Sequence, residues 1–483
     1  MIPRLSDPTL AALPGDVRRP AFDRARVERG IVHLGPGAFH RVHQAWYAQR
    51  WLEADPRWGI CAVAPRSDAL RTALRDQDWL YTLAILDLEV SYEVIGSLRE
   101  VLVAAQSPAA AAAAIARPET RMVTMTVTEK GYCLDVDGRL DVAHPDVAHD
   151  RAHPRVPRSA IGLLAEGLRL RRDLGLPAVP VVSCDNLPGN GRLLATAVRD
   201  LAAAADPALA DWISAEVPFP CTMVDSITPA TTGALRERVA GVLGLEDRWP
   251  VQRESYLQWV VEAHEAFESP DWAAAGVVIT DDVSAYERAK LRLLNGAHST
   301  LAYLGLLRGH ATVAEAMSDA PLARYVRDLM QQDVVPTLGS PRGLDLPAYV
   351  ESVLRRFANP AIRHDLAQIA WDGSKKLPVR LLGTVRDALG RRGPIQRPCT
   401  AVAAWMHFVR RRIADDHAVT DPLAARMAEV LHGRDGTDPG GDVDAFLGLG
   451  EVFATDLVQD PRFRRGIVRA YARLAEDSAA LPT

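Results

Sequence analysis

Lysine is nearly missing from this 483-residue chain: of its 56 basic residues only Lys130, Lys290, Lys375 and Lys376 are lysines. Asparagine is as scarce, at Asn186, Asn190, Asn295 and Asn359. Of the two basic side chains only lysine readily sheds its proton near neutral pH, so the few that remain are candidates for proton chemistry. A basic field is missing too. The 56 Lys and Arg against 61 Asp and Glu leave a net charge of −5, which argues against a nucleic-acid or anionic-membrane partner. No apolar run reaches the roughly 18 residues of a membrane span. The start, MIPRLSDPTLAALPGDVRRP, lacks the basic beginning and apolar core of a signal peptide. Cys61, Cys133, Cys184, Cys221 and Cys399 are odd in number and form no CxxC pair, so neither a disulfide framework nor a zinc site is expected. These absences predict a cytoplasmic protein with no bound metal.

What is present falls into two textures. Hydrophobic residues make up 48% and charged residues 24%, the balance of a globular protein, and the length suffices for two domains. Up to residue 282, β-rich runs alternate with amphipathic stretches: GIVHL (30–34) before HQAWYAQRWLEA (43–54), then GICAVA (59–64), RMVTMTVT (121–128), AVPVVSCDN (178–186) and GVVIT (276–280). LYTLAIL and YEVIGSLREVLV read as strands of an antiparallel insertion, and the alanine run at 104–114 as a helix. This alternation predicts an α/β, Rossmann-like domain on a mostly parallel sheet over residues 1–282. From 283 to 483 the periodic stretches all have helical spacing, which predicts an all-α domain.

In the first domain, IVHLGPGAFHR gives a strand, Gly35-x-Gly37 and a helix. Such a turn lets a dinucleotide pyrophosphate approach the backbone and rest on a helix N-terminus. His40 stands where the fingerprint has its third glycine. After the second strand, APRSD offers Arg66 for a 2′-phosphate or Asp68 for a ribose diol, which leaves NAD and NADP both open. VVSCDNLPGNG puts Cys184, Asp185 and Asn186 at the carboxyl end of a buried strand, where open α/β sheets bind ligands, with Asn190 as a helix cap. TVTEKGY puts Glu129 and Lys130 at another strand end. AHPDVAHDRAHPR, with His144, His149 and His153, reads as a solvated loop.

The second domain opens with AKLRLLNGAHSTLAYLG (289–305). At about 100° per residue, Lys290, His298 and Asn295 fall near 0°, 80° and 140°, interleaved with Leu301, Leu294 and Leu291. Arg292 and Ser299 fall on the opposite side, where a solvated face belongs. A lysine among leucines costs several kcal/mol unless it is neutral or partnered, and a lysine able to lose its proton is what a general base requires. The bland reading is a Glu287–Lys290 surface pair beside a satisfied core histidine.

Together these residues resemble a known family. KLRLLNGAH is similar to the K-x-x-x-x-N-x-x-H signature of the polyol-specific long-chain dehydrogenases/reductases, the mannitol dehydrogenase family. GPGAFHR, TVTEKGY, SCDNLPGNG, VDSITP and DGSKKLP resemble its other blocks, in the same order, across nearly the whole chain. The resemblance implies a metal-independent NAD- or NADP-dependent oxidoreductase. It would interconvert a sugar alcohol or aldonate (mannitol- or mannonate-like) and its 2-keto sugar by hydride transfer. It implies Lys290 as general acid/base, Asn186 and Asn295 on the developing alkoxide, His298 orienting substrate, Glu287 relaying the proton, and Asp225 and Lys376 beside the substrate. Cofactor contacts are expected at Gly35, Gly37, Phe39, Arg66, Asp68 and Thr128. Mannitol dehydrogenases of the family carry an arginine shortly before the DGS block, where Gln368 stands here. KLPVRLLGTVRDAL looks more like the uronate-reducing branch, so fructuronate (mannonate) reductase stands beside mannitol 2-dehydrogenase. A non-catalytic dinucleotide-binding sensor is the alternative, although a sensor has no use for the full acid/base and oxyanion set. Small-molecule partners are implied, on a monomer or small homo-oligomer.

Overall fold

The computed structural model describes residues 2–135, 137–264, 269–339, 343–477 and 481. The chain falls into two compact units, Met1–Ser284 and Ala285–Thr483.

The first unit is built on strands β1 (Ile31–Leu34), β2 (Ile60–Ala64), β3 (Tyr81–Leu86), β4 (Ser91–Ile95), β5 (Leu98–Val103), β6 (Met122–Met125), β7 (Val181–Ser183), β8 (Thr222–Asp225), β9 (Val251–Glu254), β10 (Gln258–Glu262) and β11 (Val278–Thr280). Five of them make a parallel sheet in the order β5-β2-β1-β6-β7. Both faces are covered, which is why the inner strands read as largely apolar runs, with buried His33 in β1 and Thr124 in β6 as exceptions. Val32, Leu34, Val63 and Val123 pack on one side with residues of helices Pro108–Ile115, Ala160–Asp173 and Asn190–Ala205. Ile31, Ile60, Ala62 and Met122 share the other side with helix Gln44–Leu52 and with Trp51, Trp58, Trp259 and Trp272. The strand order reverses between β1 and β6, and in open α/β sheets ligands bind outside the carboxyl ends at such a switch point.

Three expectations need correction. β3 and β4 do form an antiparallel pair, but β5 leaves it for the edge of the parallel sheet beside β2. Between β4 and β5 the Gly96 N–H donates to the Gln49 side chain (2.6 Å) and the Ser97 hydroxyl to Ala45 O (2.7 Å). Helix Gln44–Leu52 thus captures groups at the bend and redirects the chain. The histidine-rich segment is not a loop: Pro145–Ala152 is a helix, with Pro145 in its first turn and the His144 ring accepting the Asp146 N–H (3.2 Å). Proline there starts a helix, because its missing N–H has no intrahelical partner to lose. Asn190 is also no cap, since Gly189 holds that position. The fully buried Asn190 amide donates to the carbonyls of Asp185 and Thr222 (both 3.0 Å) and accepts the Thr222 N–H (2.9 Å), tying the end of β7 to β8.

Among its described residues the second unit contains helices and no strand. Its central helix is one unbroken rod made of Val283–Ala289, a π turn over Lys290–Asn295, and Gly296–Leu307. Every residue from Gly296 to Gly305 is buried, so the solvated face expected around Ser299 does not exist. Helices Gln396–Ala414 and Leu366–Ile369 pack on the rod, and a helix enclosed on all sides needs no polar stripe. Ser299 accepts a hydrogen bond from Arg380 Nη1 (3.1 Å). Arg292 is no solvated charge either: it donates to Asp387 (2.6 Å) and Thr337 (3.2 Å). No helix among the described residues is long and apolar enough to cross a membrane.

Candidate active site

Of the candidate cofactor residues in the first unit, Gly35, Gly37 and Phe39 follow β1 and Thr128 follows β6, the two strands at the switch point, while Arg66 and Asp68 follow β2. Gly35 follows β1 with φ +88°, and a Cβ there would lie 2.2 Å from Thr126 O, just beyond β6. Gly37 is exposed, and a Cβ on it would meet only Gly35 O, at 3.9 Å. The two glycines therefore differ: Gly35 lets two loops touch, while Gly37 borders open space at the start of helix Ala38–Val42. That is the cradle a pyrophosphate needs. Phe39, on the same short helix, stacks on His43 with ring centroids 4.9 Å apart. Arg66 is exposed and paired with Asp146 (2.9 Å). Asp68, also exposed, precedes helix Ala69–Leu74.

Beneath the turn lie two histidines whose role the sequence did not reveal. His33 shares hydrogen bonds with the hydroxyls of Thr124 (2.7 Å) and Thr126 (2.9 Å). His40 stacks on it at 3.5 Å, fully buried, with neither ring nitrogen partnered among the described residues. Burial pushes the His33 imidazole down to about 3, and pushes His40 well below its ordinary value with help from the neighbouring His33, Arg41 and His43. Both rings are neutral in the fold. An unfolded imidazole gains its proton near pH 6.5, so their contribution to stability is full above that pH and is lost as pH falls towards the folded values. His40→Phe, which keeps the stack and removes a titrating group, is expected to flatten the decline in stability between pH 6.5 and 5. Urea unfolding at several pH values checks this, and an unchanged slope would count against the two-ring account.

The loop after β6 is held by Asp185. Its carboxylate accepts the N–H groups of Val127 (3.1 Å) and Thr128 (2.8 Å) and the Tyr132 hydroxyl (3.2 Å). Burial pushes this carboxyl up, against those donors. Thr128 itself is exposed, in a left-handed φ of 66°. Asn186, the residue after Asp185, is exposed at the end of β7, and Asp225 is buried at the end of β8.

In the second unit the π turn decides how the polar residues converge. Gly296 N–H reaches back five residues to Leu291 O, so the turn holds one residue more than an α-turn. In a regular helix residues five apart stand about 140° apart. A wide turn closed by an i to i+5 bond brings them much closer to alignment, which draws Asn295 towards the face of Lys290. Lys290, Glu287 and Asn295 are half-buried, whereas His298 is buried with its Nε2 unpartnered among the described residues. His298 packs on Phe357 (4.3 Å) and lies edge-on to His364 (5.2 Å). Burial, then the charges of His364, Arg356 and Arg380, push its pKa well below the ordinary value, so it is a neutral imidazole.

Two more π turns, Leu329–Val334 and Pro378–Leu382, pack against the first. The approach is close: a Cβ on Gly296 would lie 2.9 Å from Arg380 O. Lys376 donates to the carbonyls of Ile369 and Trp371, and burial beside Arg380 lowers its pKa. Gln368 is exposed on helix Leu366–Ile369, and its side chain makes no hydrogen bond within the described residues.

Comparison with known proteins follows these two units. The mannitol dehydrogenase Rossmann domain matches residues 29–274, and the mannitol dehydrogenase C-terminal domain matches residues 282–475. A relative named D-mannonate oxidoreductase, from Escherichia coli (strain K12), is 43% identical over 472 residues, covering 96% of each chain. Mannitol 2-dehydrogenase of Pseudomonas fluorescens, solved as a ternary complex with NAD and D-mannitol, superposes with a TM-score of 0.82 at 36% identity, over 99% of this chain and 98% of that one. Substrate-free D-sorbitol dehydrogenase gives 0.88 at 32% identity over the full length of both. The chain belongs to the mannitol dehydrogenase family.

Proposed function

We propose that this chain is an NAD(P)-dependent oxidoreductase that interconverts a secondary alcohol of a sugar alcohol or aldonate with its 2-ketone. The observation that carries the reading is the π turn over Lys290–Asn295, whose wide closure favours Asn295 on the Lys290 face, in the same rod as a buried His298 whose Nε2 has no partner among the described residues. Such a set is built to hold a hydroxyl-bearing ligand, because an orphaned buried polar atom is destabilising unless a partner arrives. The names of the relatives point the same way.

Bound NAD(P) supplies the hydride acceptor. The protein supplies the rest. Lys290 takes the hydroxyl proton during oxidation and returns it during reduction. The side-chain amide of Asn295 donates to the oxygen as alkoxide character develops, the role the family resemblance also implies for Asn186. His298 hydrogen-bonds a further hydroxyl and fixes the substrate's orientation. Glu287, one helical turn before Lys290, passes the proton onward, and Asp225 and Lys376 shape the substrate's surroundings. Gly35, Gly37, Phe39 and Thr128 cradle the dinucleotide, with Arg66 and Asp68 at its ribose. No step here needs a Lewis acid.

A panel of alditols and aldonates, each with NAD and with NADP in the presence of chelator, tests the reading. Reduced cofactor should form with at least one pair. Cofactor binding without turnover on any substrate would favour the sensor. Loss of activity on chelation, restored by zinc, would overturn the lysine-based mechanism.

A further inference from the structure

Arg380 lies in the third π turn and is half-buried, yet no carboxylate pairs with it among the described residues. Its recorded hydrogen bonds run from Nη1 alone, to Asn295 O (3.4 Å) and Ser299 Oγ (3.1 Å). Nε and Nη2 make none, and they are absent from the sealed, unpartnered atoms of the interior. This guanidinium thus lies along the rod that carries Asn295 and His298, with donors to spare. The charges acting on His298 come from His364, Arg356 and Arg380, with no acidic group among them. No acid acts on Arg380, whereas Asp421 accepts from Ser374 N (2.8 Å) and Leu423 N (2.9 Å), and Asp372 and Asp421 act on Lys376. A protein of net charge −5 that leaves a half-buried arginine without an acid has a cationic place to fill, since charges drawn away from water are ordinarily paired.

We propose that Arg380 is the receptor for a substrate carboxylate, and that it makes the enzyme selective for a sugar acid over the neutral alditol of equal length. The assignment rests on the oxidoreductase reading above. Arginine suits the task because its planar fork offers two parallel donors to a carboxylate. A neutral polyol would leave that fork unmatched.

The test measures kcat and KM for an aldonate and for the alditol of the same carbon count. It uses the wild-type protein, Arg380→Gln and Arg380→Lys. Glutamine removes the charge and also shortens the side chain, and the lost Nη1 bonds to Asn295 O and Ser299 Oγ would weaken both substrates alike. The wild type should prefer the aldonate. Arg380→Gln should cut that preference about 10- to 100-fold, the worth of a charge-assisted hydrogen bond, mainly through KM. Arg380→Lys should keep part of it, and added guanidinium should restore aldonate turnover to the glutamine variant. Equal losses on both substrates would reduce Arg380 to a brace for Asn295 and overturn the proposal. A wild type that oxidises only the alditol would also overturn it while leaving the oxidoreductase reading intact, whereas a wild type inactive on both would remove that reading itself.

Discussion

Lys290→Ala is expected to lose about 10²–10⁴-fold in turnover, the usual contribution of a positioned proton-transfer group. Cofactor titration should be unchanged, because the glycine turn belongs to the other unit. Alcohol oxidation needs the free amine and should weaken towards low pH. Ketone reduction needs the ammonium and should weaken towards high pH. Lys290→Arg is the sharper variant, since arginine keeps its proton across the working range. It should fare little better than alanine in oxidation. Near-normal oxidation by the arginine variant would show that position 290 serves only as a positive charge, and the mechanism would fall.

Gly35 and Gly37 should separate folding from binding. Gly35→Ala forces a Cβ to within 2.2 Å of Thr126 O at a φ of +88°. The backbone there is held by Gly35 N–H to Val63 O (3.0 Å) and by the Thr126 hydroxyl on Gly35 O (2.8 Å). Left-handed strain and overpacking together should destabilise the first unit by about 2–5 kcal/mol. Gly37 has an ordinary φ of −72°, and its Cβ would point into open space. Gly37→Val should unfold at the wild-type temperature yet bind NAD(P) weakly, because the side chain occupies the dinucleotide's path. Thermal unfolding and a fluorescence titration of both variants check the split. Full cofactor affinity in Gly37→Val would place the dinucleotide elsewhere.

The parallel sheet was legible because strands covered on both faces leave largely apolar, β-branched runs, and GIVHL, GICAVA and RMVTMTVT read that way despite His33 and the threonines. The destination of β5 was not. Its pattern suits either sheet, and the choice is made by Gln49 and Ala45, some fifty residues away in sequence. Helix Pro145–Ala152 was missed because proline and histidine looked like loop chemistry, although proline also opens helices. KLRLLNGAH announced its polar residues plainly. Their angles were misjudged because a wheel assumes a fixed period, and no residue in the segment signals a wide turn. The unsatisfied rings of His40 and His298 are likewise facts of packing that no local pattern carries.

The wide turn at Lys290–Asn295 makes this segment sensitive to how the turn closes more than to composition. Swapping one leucine of the turn for another apolar residue leaves the count intact. If the turn instead closed with α-helical bonds while keeping all six residues, everything after it would rotate by about 100° relative to everything before it. Lys290 would then part company with Asn295 and His298 although no functional side chain had changed. Regularity and activity are opposed at this point in the chain, so the irregular turn persists only while something outside the helix, such as the two neighbouring π turns packed against it, holds the extra residue in place.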